Sequence, residues 1–152
     1  MSDINHAELS AAAALRAALR RFNSESSRVL RKHGLTVERY ELLLAIEAGS
    51  YEGRDTTIAQ LADELQLAPS SMTQLARRAE DARLLYRRVS DKDGRVHYLA
   101  LTDTGAAKLA AAASELGPER QRLFAMLREL DEIQALSATA DASVDAGHPG
   151  VA

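Results

Sequence analysis

The stretch LLYRRVSDKDGRVHYLAL, Leu84–Leu101, decides the fold because it contains two short β-rich runs around a polar turn. LLYRRV and VHYLAL are rich in the aliphatic and aromatic residues that favour strands. Asp93-Gly94, between the two runs, is a dipeptide typical of tight hairpin turns. The sequence therefore predicts a β-hairpin whose tip carries Lys92 and Arg95.

The acidic residues of the turn raise a calcium-binding loop as an alternative. A loop that starts at Asp91 needs an oxygen ligand at its fifth position and a bidentate glutamate at its twelfth. Arg95 and Thr102 occupy those positions, and an arginine in the ligand ring would repel the ion. The spacing excludes the calcium loop, and a surface hairpin with a charged tip remains as the simpler interpretation.

Two short helices, joined by about four residues, are predicted before the hairpin. Thr57 and Gln60 form a capping-box pair at the start of the first helix, and Pro69 suits the first position of the second. Helix, turn, helix and basic hairpin make a winged helix-turn-helix. In that fold the second helix enters the major groove, and the wing reaches the flanking backbone or the minor groove.

The second helix has the polar face expected of a recognition helix. When its apolar stripe is turned inward, small hydroxyls, an amide and guanidinium groups face outward. Small hydroxyls allow a close approach to the groove, glutamine can make a paired contact to adenine, and arginine can do so to guanine. With the cations of the hairpin, the predicted DNA contacts are Ser70, Ser71, Thr73, Gln74, Arg77, Arg78, Arg87, Lys92 and Arg95.

Charge is unevenly distributed along the chain. The formal net charge of −3 by itself weighs against a nucleic-acid partner. Residues 35–70, however, carry seven acids and two bases, whereas residues 71–100 carry seven bases and four acids. The basic charge is concentrated in the segment of the second helix and the hairpin, which is the distribution expected of a nucleic-acid interface.

Long helices are predicted on both sides of this segment. Apolar residues recur at helical spacing over residues 7–33, and Gly34 suits a left-handed C-cap. A second helical region, capped by Thr102 or Thr104 and interrupted at Gly117-Pro118, covers residues 104–136. The predicted fold class is mainly α (α+β), with a winged helix-turn-helix domain over 35–103 between long N- and C-terminal helices.

Several chemistries are excluded by composition. The absence of cysteine rules out a disulfide frame, a thiolate metal site and a thiol nucleophile. No glycine-rich loop of the kind that binds phosphate is present, and the four histidines lack the spacing of metal ligands. They are His6, His33, His97 and His148. We therefore expect the protein to be no enzyme and to bind no cofactor and no metal.

No apolar run could span a bilayer and the start of the chain lacks a secretion signal, so a cytoplasmic protein without a membrane partner is expected.

The chain from about Leu35 to Gly105 resembles the multiple antibiotic resistance regulator (MarR) family. The resemblance includes TTIAQLADELQLAPSSMTQLARRAED and, above all, DGRVHYLALTDTG. The family's wing signature is Asp, any residue, Arg, an aliphatic residue four positions on, then Leu-Thr and a Gly three residues after the Thr. The matching residues are Asp93, Arg95, Leu99, Leu101, Thr102 and Gly105.

This resemblance implies a ligand-responsive repressor that binds double-stranded DNA sequence-specifically as a homodimer. The terminal helices, 7–33 and 104–136, would interlock and hold two winged domains on a pseudo-palindromic operator. Half-sites would lie about 34–36 Å apart, or a multiple of that distance. By likeness, Arg95 enters the minor groove, and Asp93 orients an arginine, Arg77 or Arg87.

The family also commonly binds a small effector, often an aromatic acid, between the dimer region and the winged domain. Such binding weakens the hold on DNA. By position, the residues of this chain that would contact an aromatic or anionic effector are Arg16, Arg20, His33 and Tyr40.

Two features depart from the family's pattern. The family often has glycine where Arg83 stands, and a left-handed Arg83 would cost on the order of 1 kcal/mol. The C-terminal helical region is also shorter than usual, because the composition becomes small and polar after Leu136. We expect residues 137–152 to be disordered.

Two other functions remain open from the sequence. A winged-helix module that binds another protein and never meets DNA would show affinity for duplex that vanishes at physiological salt, with no sequence preference. A small-molecule-binding protein without regulatory output would bind a ligand with no effect on DNA.

Overall fold

The computed structural model describes residues 6–145, which form six helices and a three-stranded antiparallel sheet of order β1-β3-β2. The elements are α1 (His6–Lys32), α2 (Val37–Tyr51), β1 (Thr56–Thr57), α3 (Ile58–Glu64), α4 (Pro69–Asp81), β2 (Leu85–Val89), β3 (His97–Leu101), α5 (Asp103–Glu115) and α6 (Gly117–Asp145). The predicted mainly helical fold with a winged helix-turn-helix, α3 to β3, is confirmed.

The chain divides into two compact units. Among the described residues, 26–116 form the winged unit, and 6–25 together with 117–145 form the terminal unit. Within the described residues, no helix is both long and apolar enough to cross a membrane.

The core of the winged unit is aliphatic, as the apolar stripes predict. Leu43 of α2, Leu61 of α3, Met72 of α4 and Leu99 of β3 are among its buried residues. Full burial of one such side chain contributes roughly 1.5–3 kcal/mol. Because α4 also buries Ala76, the opposite side of this helix is turned to solvent.

Helix starts follow the local signals in the sequence. The reciprocal hydrogen bonds of the capping box between Thr57 and Gln60 are both present, so that prediction is confirmed. Of the two candidate caps for α5, Thr102 is the one used. Its hydroxyl accepts from the Gly105 N–H at 3.0 Å and donates to the Arg83 carbonyl at 2.6 Å, which connects the start of α5 to the end of α4.

Four helices end in the same left-handed turn. Gly34, Gly53, Gln66 and Arg83 have φ of 68°, 71°, 54° and 57°. After Arg83, for example, the Leu84 N–H bonds to the Ala79 carbonyl at 3.0 Å, and the Arg83 N–H bonds to the Glu80 carbonyl at 2.8 Å, which is the Schellman motif. The predicted C-cap at Gly34 is confirmed, and Arg83 has the left-handed conformation that the family's glycine at this position would favour.

Replacing Arg83 by glycine should stabilise the protein. Glycine relieves a left-handed strain of roughly 1 kcal/mol, and loses part of that gain through the larger entropy of the unfolded chain. We expect a net increase of about 0.5 kcal/mol in the free energy of unfolding, measured by urea denaturation. Ala82→Gly is the control, because Ala82 has an ordinary φ of −78°. The control should lower the free energy of unfolding. An equal decrease in both variants would contradict the strain at Arg83.

The C-terminal helix is longer than the sequence predicts. α6 continues to Asp145, so the expectation that helix ends near residue 136 and disorder begins at residue 137 is wrong for residues 137–145. This segment is rich in alanine, which has the highest helix propensity, and an existing helix gains one hydrogen bond for each residue added. Residues 146–152 lie outside the described residues.

The structure also contains a strand, β1, that the sequence patterns did not predict. Thr56 pairs with Leu99 and Thr57 pairs with Tyr98, which adds a third strand to the hairpin. A strand of two residues has no periodicity that a sequence pattern could show, and only the pairing with β3 defines it.

Candidate nucleic-acid interface

The polar face of α4, here called the recognition helix, is open to solvent. The helix begins at Pro69, has no acid in its first turn, and so presents the positive end of its dipole without a neutralising side chain. Thr73 differs from its neighbours because its hydroxyl donates to the Pro69 carbonyl at 2.9 Å, which leaves its lone pairs as acceptors. The predicted contacts that lie exposed on this helix are Ser70, Ser71, Thr73, Gln74, Arg77 and Arg78.

The wing tip is fixed by two side chains that lie between the paired strands. The hydroxyl of the buried Ser90 accepts from the N–H groups of Lys92 and Asp93, at 3.2 and 3.4 Å. The Asp93 carboxylate accepts from the Arg95 N–H at 3.0 Å, and the Asp93 carbonyl accepts from the Val96 N–H at 2.9 Å. Lys92 and Arg95 are therefore exposed on a turn whose backbone is held by side chains.

Asp93 orients the wing differently from what the resemblance implied. Its side chain bonds to the backbone of Arg95, whereas Arg87, one of the two arginines expected beside it, donates from Nε to Glu80 Oε2 at 3.1 Å. Within residues 6–145, no ion pair joins Asp93 to Arg77 either. Asp93 shapes the turn that carries Arg95, because an aspartate bonds readily to the backbone two residues on.

The two arginines of β2 project to opposite faces of the sheet, as neighbours on a strand do. Arg87 binds Glu80 on the recognition helix. Arg88 binds Asp55, which precedes β1, and lies 5.4 Å from the centre of the Tyr98 ring. Each exposed pair is worth about 0–1 kcal/mol, so their main effect is to fix the position of the wing strand. Ser90, Glu80 and Arg88 were not among the predicted site residues.

Four cations of the interface have no acidic partner within residues 6–145. They are Arg77 and Arg78 on the recognition helix and Lys92 and Arg95 on the wing tip, and all four are exposed. A guanidinium or ammonium without an acidic neighbour is available to a phosphate or a base edge. In the part of the chain that the structure describes, no cluster of acids and histidines could hold a metal ion.

The residues predicted to contact an effector lie in different surroundings. Arg16 and Arg20 are exposed on α1, and Tyr40 is half-buried against the core of the winged unit. His33 Nε2 lies 2.8 Å from Glu115 Oε2, and Lys32 donates to the same carboxylate at 2.6 Å. The contact with Lys32, which has the larger effect, and the contact with His33 together hold the pKa of Glu115 below its usual value. Glu115 thus joins the end of α1 to the end of α5.

The segment that carries this interface is similar to proteins that are already known. A family model described as "MarR family" matches residues 33–96. The HTH-type transcriptional repressor MdtR of Bacillus subtilis is 28% identical over 127 residues, which cover 83% of this chain and 79% of the relative.

Solved structures show a shared fold. AbsC, a MarR family transcriptional regulator from Streptomyces coelicolor, superposes with a TM-score of 0.71 at 23% identity, covering 95% of this chain and 99% of that chain. The MepR–DNA complex of S. aureus gives a TM-score of 0.66 at 24% identity, covering 85% of this chain and 91% of that chain.

Proposed function

Because this chain belongs to the MarR family of transcription regulators, we propose that it represses transcription by binding a specific duplex sequence as a homodimer, and that a small effector releases it. The relatives it matches are transcriptional regulators, which are not enzymes. Support for DNA as the partner comes from the similarity to MepR, whose structure was solved with DNA.

The observation that carries this proposal is the exposed polar face of the recognition helix beside a wing that is rich in free cations. The ion pair of Glu80 and Arg87 attaches the wing strand to this helix. A helix of small polar side chains fits the major groove, and a basic hairpin next to it reaches the flanking phosphates or the minor groove.

Within this interface, we assign two kinds of contact. Arg78, Arg87 and Lys92 would bind phosphates and fix the register, and Arg95 would enter the minor groove. Gln74 and Arg77 would bind base edges in pairs, and the hydroxyls of the recognition helix would accept from bases or contact phosphate. Thr73, whose proton is engaged by a carbonyl, is suited to accept from an adenine or cytosine amino group or to contact a thymine methyl.

Support for a homodimer comes from the terminal unit. Its helices expose large apolar side chains, a pattern that marks an interaction surface. In addition, α6 has 29 residues, more than the sequence predicts. A second copy of the same unit would cover such a surface with two-fold symmetry. The exposed apolar residues are Leu9, Phe124, Leu127 and Ile133.

The test of this function starts from selection of bound duplexes out of a random pool, followed by salt titrations of the selected duplex and of a scrambled one. Arg95→Ala should weaken binding to both duplexes in similar proportion, and it should make the negative slope of log affinity against log salt shallower by about one. Arg31→Ala removes the same charge from an exposed position outside the interface, and it should leave the slope nearly unchanged. An unaltered slope for Arg95→Ala would mean that the wing does not bind DNA.

The same experiments separate the other functions. Duplex binding that lacks any sequence preference and disappears at physiological salt would favour a protein-interaction module. A screen for compounds that release the selected duplex tests the effector, and Arg16, Arg20, His33 and Tyr40 are the residues to substitute if one is found.

A further inference from the structure

Glu80 is an acid placed on the recognition helix itself. An acid beside a DNA-binding surface weakens binding, because it repels phosphates. Glu80 is only partly exposed, with 37% of its side-chain surface accessible, and its carboxylate accepts from Arg87 of the wing strand at 3.1 Å.

The position of Glu80 along the helix gives it two possible arginine partners. Thr73, Arg77 and Glu80 are spaced at i, i+4 and i+7, so they follow one ridge of the helix. Arg77 is three residues from Glu80, a spacing at which opposite charges pair readily. The structure pairs Glu80 with Arg87 instead, and Arg77 has no ion pair within residues 6–145.

The contact with Glu80 leaves most of the Arg87 guanidinium available. Arg87 donates to Glu80 through Nε alone, and 34% of its side-chain surface is exposed. An arginine has five N–H donors, of which four are on the two terminal nitrogens. Held at Nε, the planar group has a fixed orientation, while both terminal nitrogens can still bind phosphate oxygens.

We propose that Glu80 is a positioning residue that raises the sequence specificity of DNA binding. It holds Arg87 so that the terminal nitrogens meet a phosphate in the register of the selected sequence. The Arg87 contact in turn keeps the Glu80 carboxylate from pairing with Arg77, which stays free to bind a base. Glu80 itself does not touch DNA. This inference rests on the proposed DNA-binding function.

Glu80→Gln tests this role, because it removes the charge and keeps the shape of the side chain. We expect affinity for the selected duplex to fall about fivefold, since the surface ion pair that orients Arg87 is removed. Affinity for a scrambled duplex should stay the same or rise, because non-specific binding depends on charge, Arg87 keeps its charge, and the repulsive charge of Glu80 is gone. The ratio of the two affinities, measured by fluorescence anisotropy at one salt concentration, should therefore decrease.

Asp81→Asn is the matched control. Asp81 is the next residue, it is exposed, and it has no ion pair inside the described range. Its replacement should raise both affinities in parallel and leave their ratio unchanged. If Glu80→Gln also raised both affinities in parallel, the positioning role would be wrong.

Arg87→Ala provides the second readout, since Glu80 is proposed to act mainly through Arg87. In the Arg87→Ala background, Glu80→Gln should no longer lower the affinity ratio, and it should raise the ratio if the released Glu80 pairs with Arg77. An undiminished decrease would overturn the role of Arg87, and a lowered thermal midpoint that accounts for the weaker binding would indicate a merely structural residue. Failure of the wild-type chain to select any duplex would instead overturn the proposed function, and the role of Glu80 with it.

Discussion

Gly105→Ala should destabilise the winged unit by about 3 kcal/mol, the upper end of the usual range for overpacking. A Cβ atom at this position would lie 1.9 Å from the Leu84 carbonyl oxygen and 2.8 Å from the carbonyl carbon. Both are backbone atoms, so no side-chain rotation can remove the clash. The same carbonyl accepts from the Thr102 N–H at 3.1 Å, so α5 could move away only by breaking that bond.

Thermal and urea unfolding of the purified variant, followed by circular dichroism, measure this effect. Gly117→Ala is the control, because it places a methyl group on another glycine at the start of a helix. The nearest heavy atom there is the Arg120 guanidinium, at 4.0 Å. The control should unfold at or slightly above the wild-type midpoint. A Gly105→Ala variant with the same midpoint as its control would show that α5 does not pack so closely on Leu84.

Arg77→Ala should reduce affinity for the selected duplex by about 1–3 kcal/mol, or roughly 5- to 150-fold. Arg77 is exposed, has no ion pair in the described part of the chain, and lies on the ridge of the recognition helix that faces away from the core. The substitution should also relax the preferred sequence at the base pair that Arg77 binds, because the competing bases there would no longer differ in hydrogen bonding.

Repeating the random-pool selection with Arg77→Ala measures both effects. Arg78→Ala is the comparison, since it removes the same charge one residue further along the helix. Arg78 is assigned to phosphate, so its replacement should weaken all duplexes and keep the preferred sequence. If Arg77→Ala also kept the preferred sequence, Arg77 would be a phosphate contact and base recognition would depend on Gln74 and the hydroxyls.

Local signals in the sequence predict the fold well, because a cap or a turn involves residues only a few positions apart. The capping box of Thr57 and Gln60, Pro69 at a helix start, and the left-handed turn at Gly34 all appear in the structure. The hairpin and the polar face of the recognition helix follow from the same short-range patterns.

The contacts that fix the interface could not be predicted in the same way. The family resemblance implied that Arg87 could lie beside Asp93, and only the packing of β2 against α4 shows that Glu80 is its partner. Arg88 and Asp55 are 33 residues apart, and no pattern in the sequence connects them. Alternation along β2 does predict that Arg87 and Arg88 face opposite sides of the sheet, so their opposite orientations could be predicted from the sequence.

Two residues that are not glycine, Gln66 and Arg83, have a left-handed backbone within residues 6–145, and they flank the recognition helix on either side. Because α4 has 13 residues and rises about 1.5 Å per residue, the two sites are far enough apart for their effects to add. Glycine at both positions should therefore raise the free energy of unfolding by about 1 kcal/mol and leave every proposed DNA contact intact. Such a variant is a suitable starting point for co-crystallisation with an operator fragment.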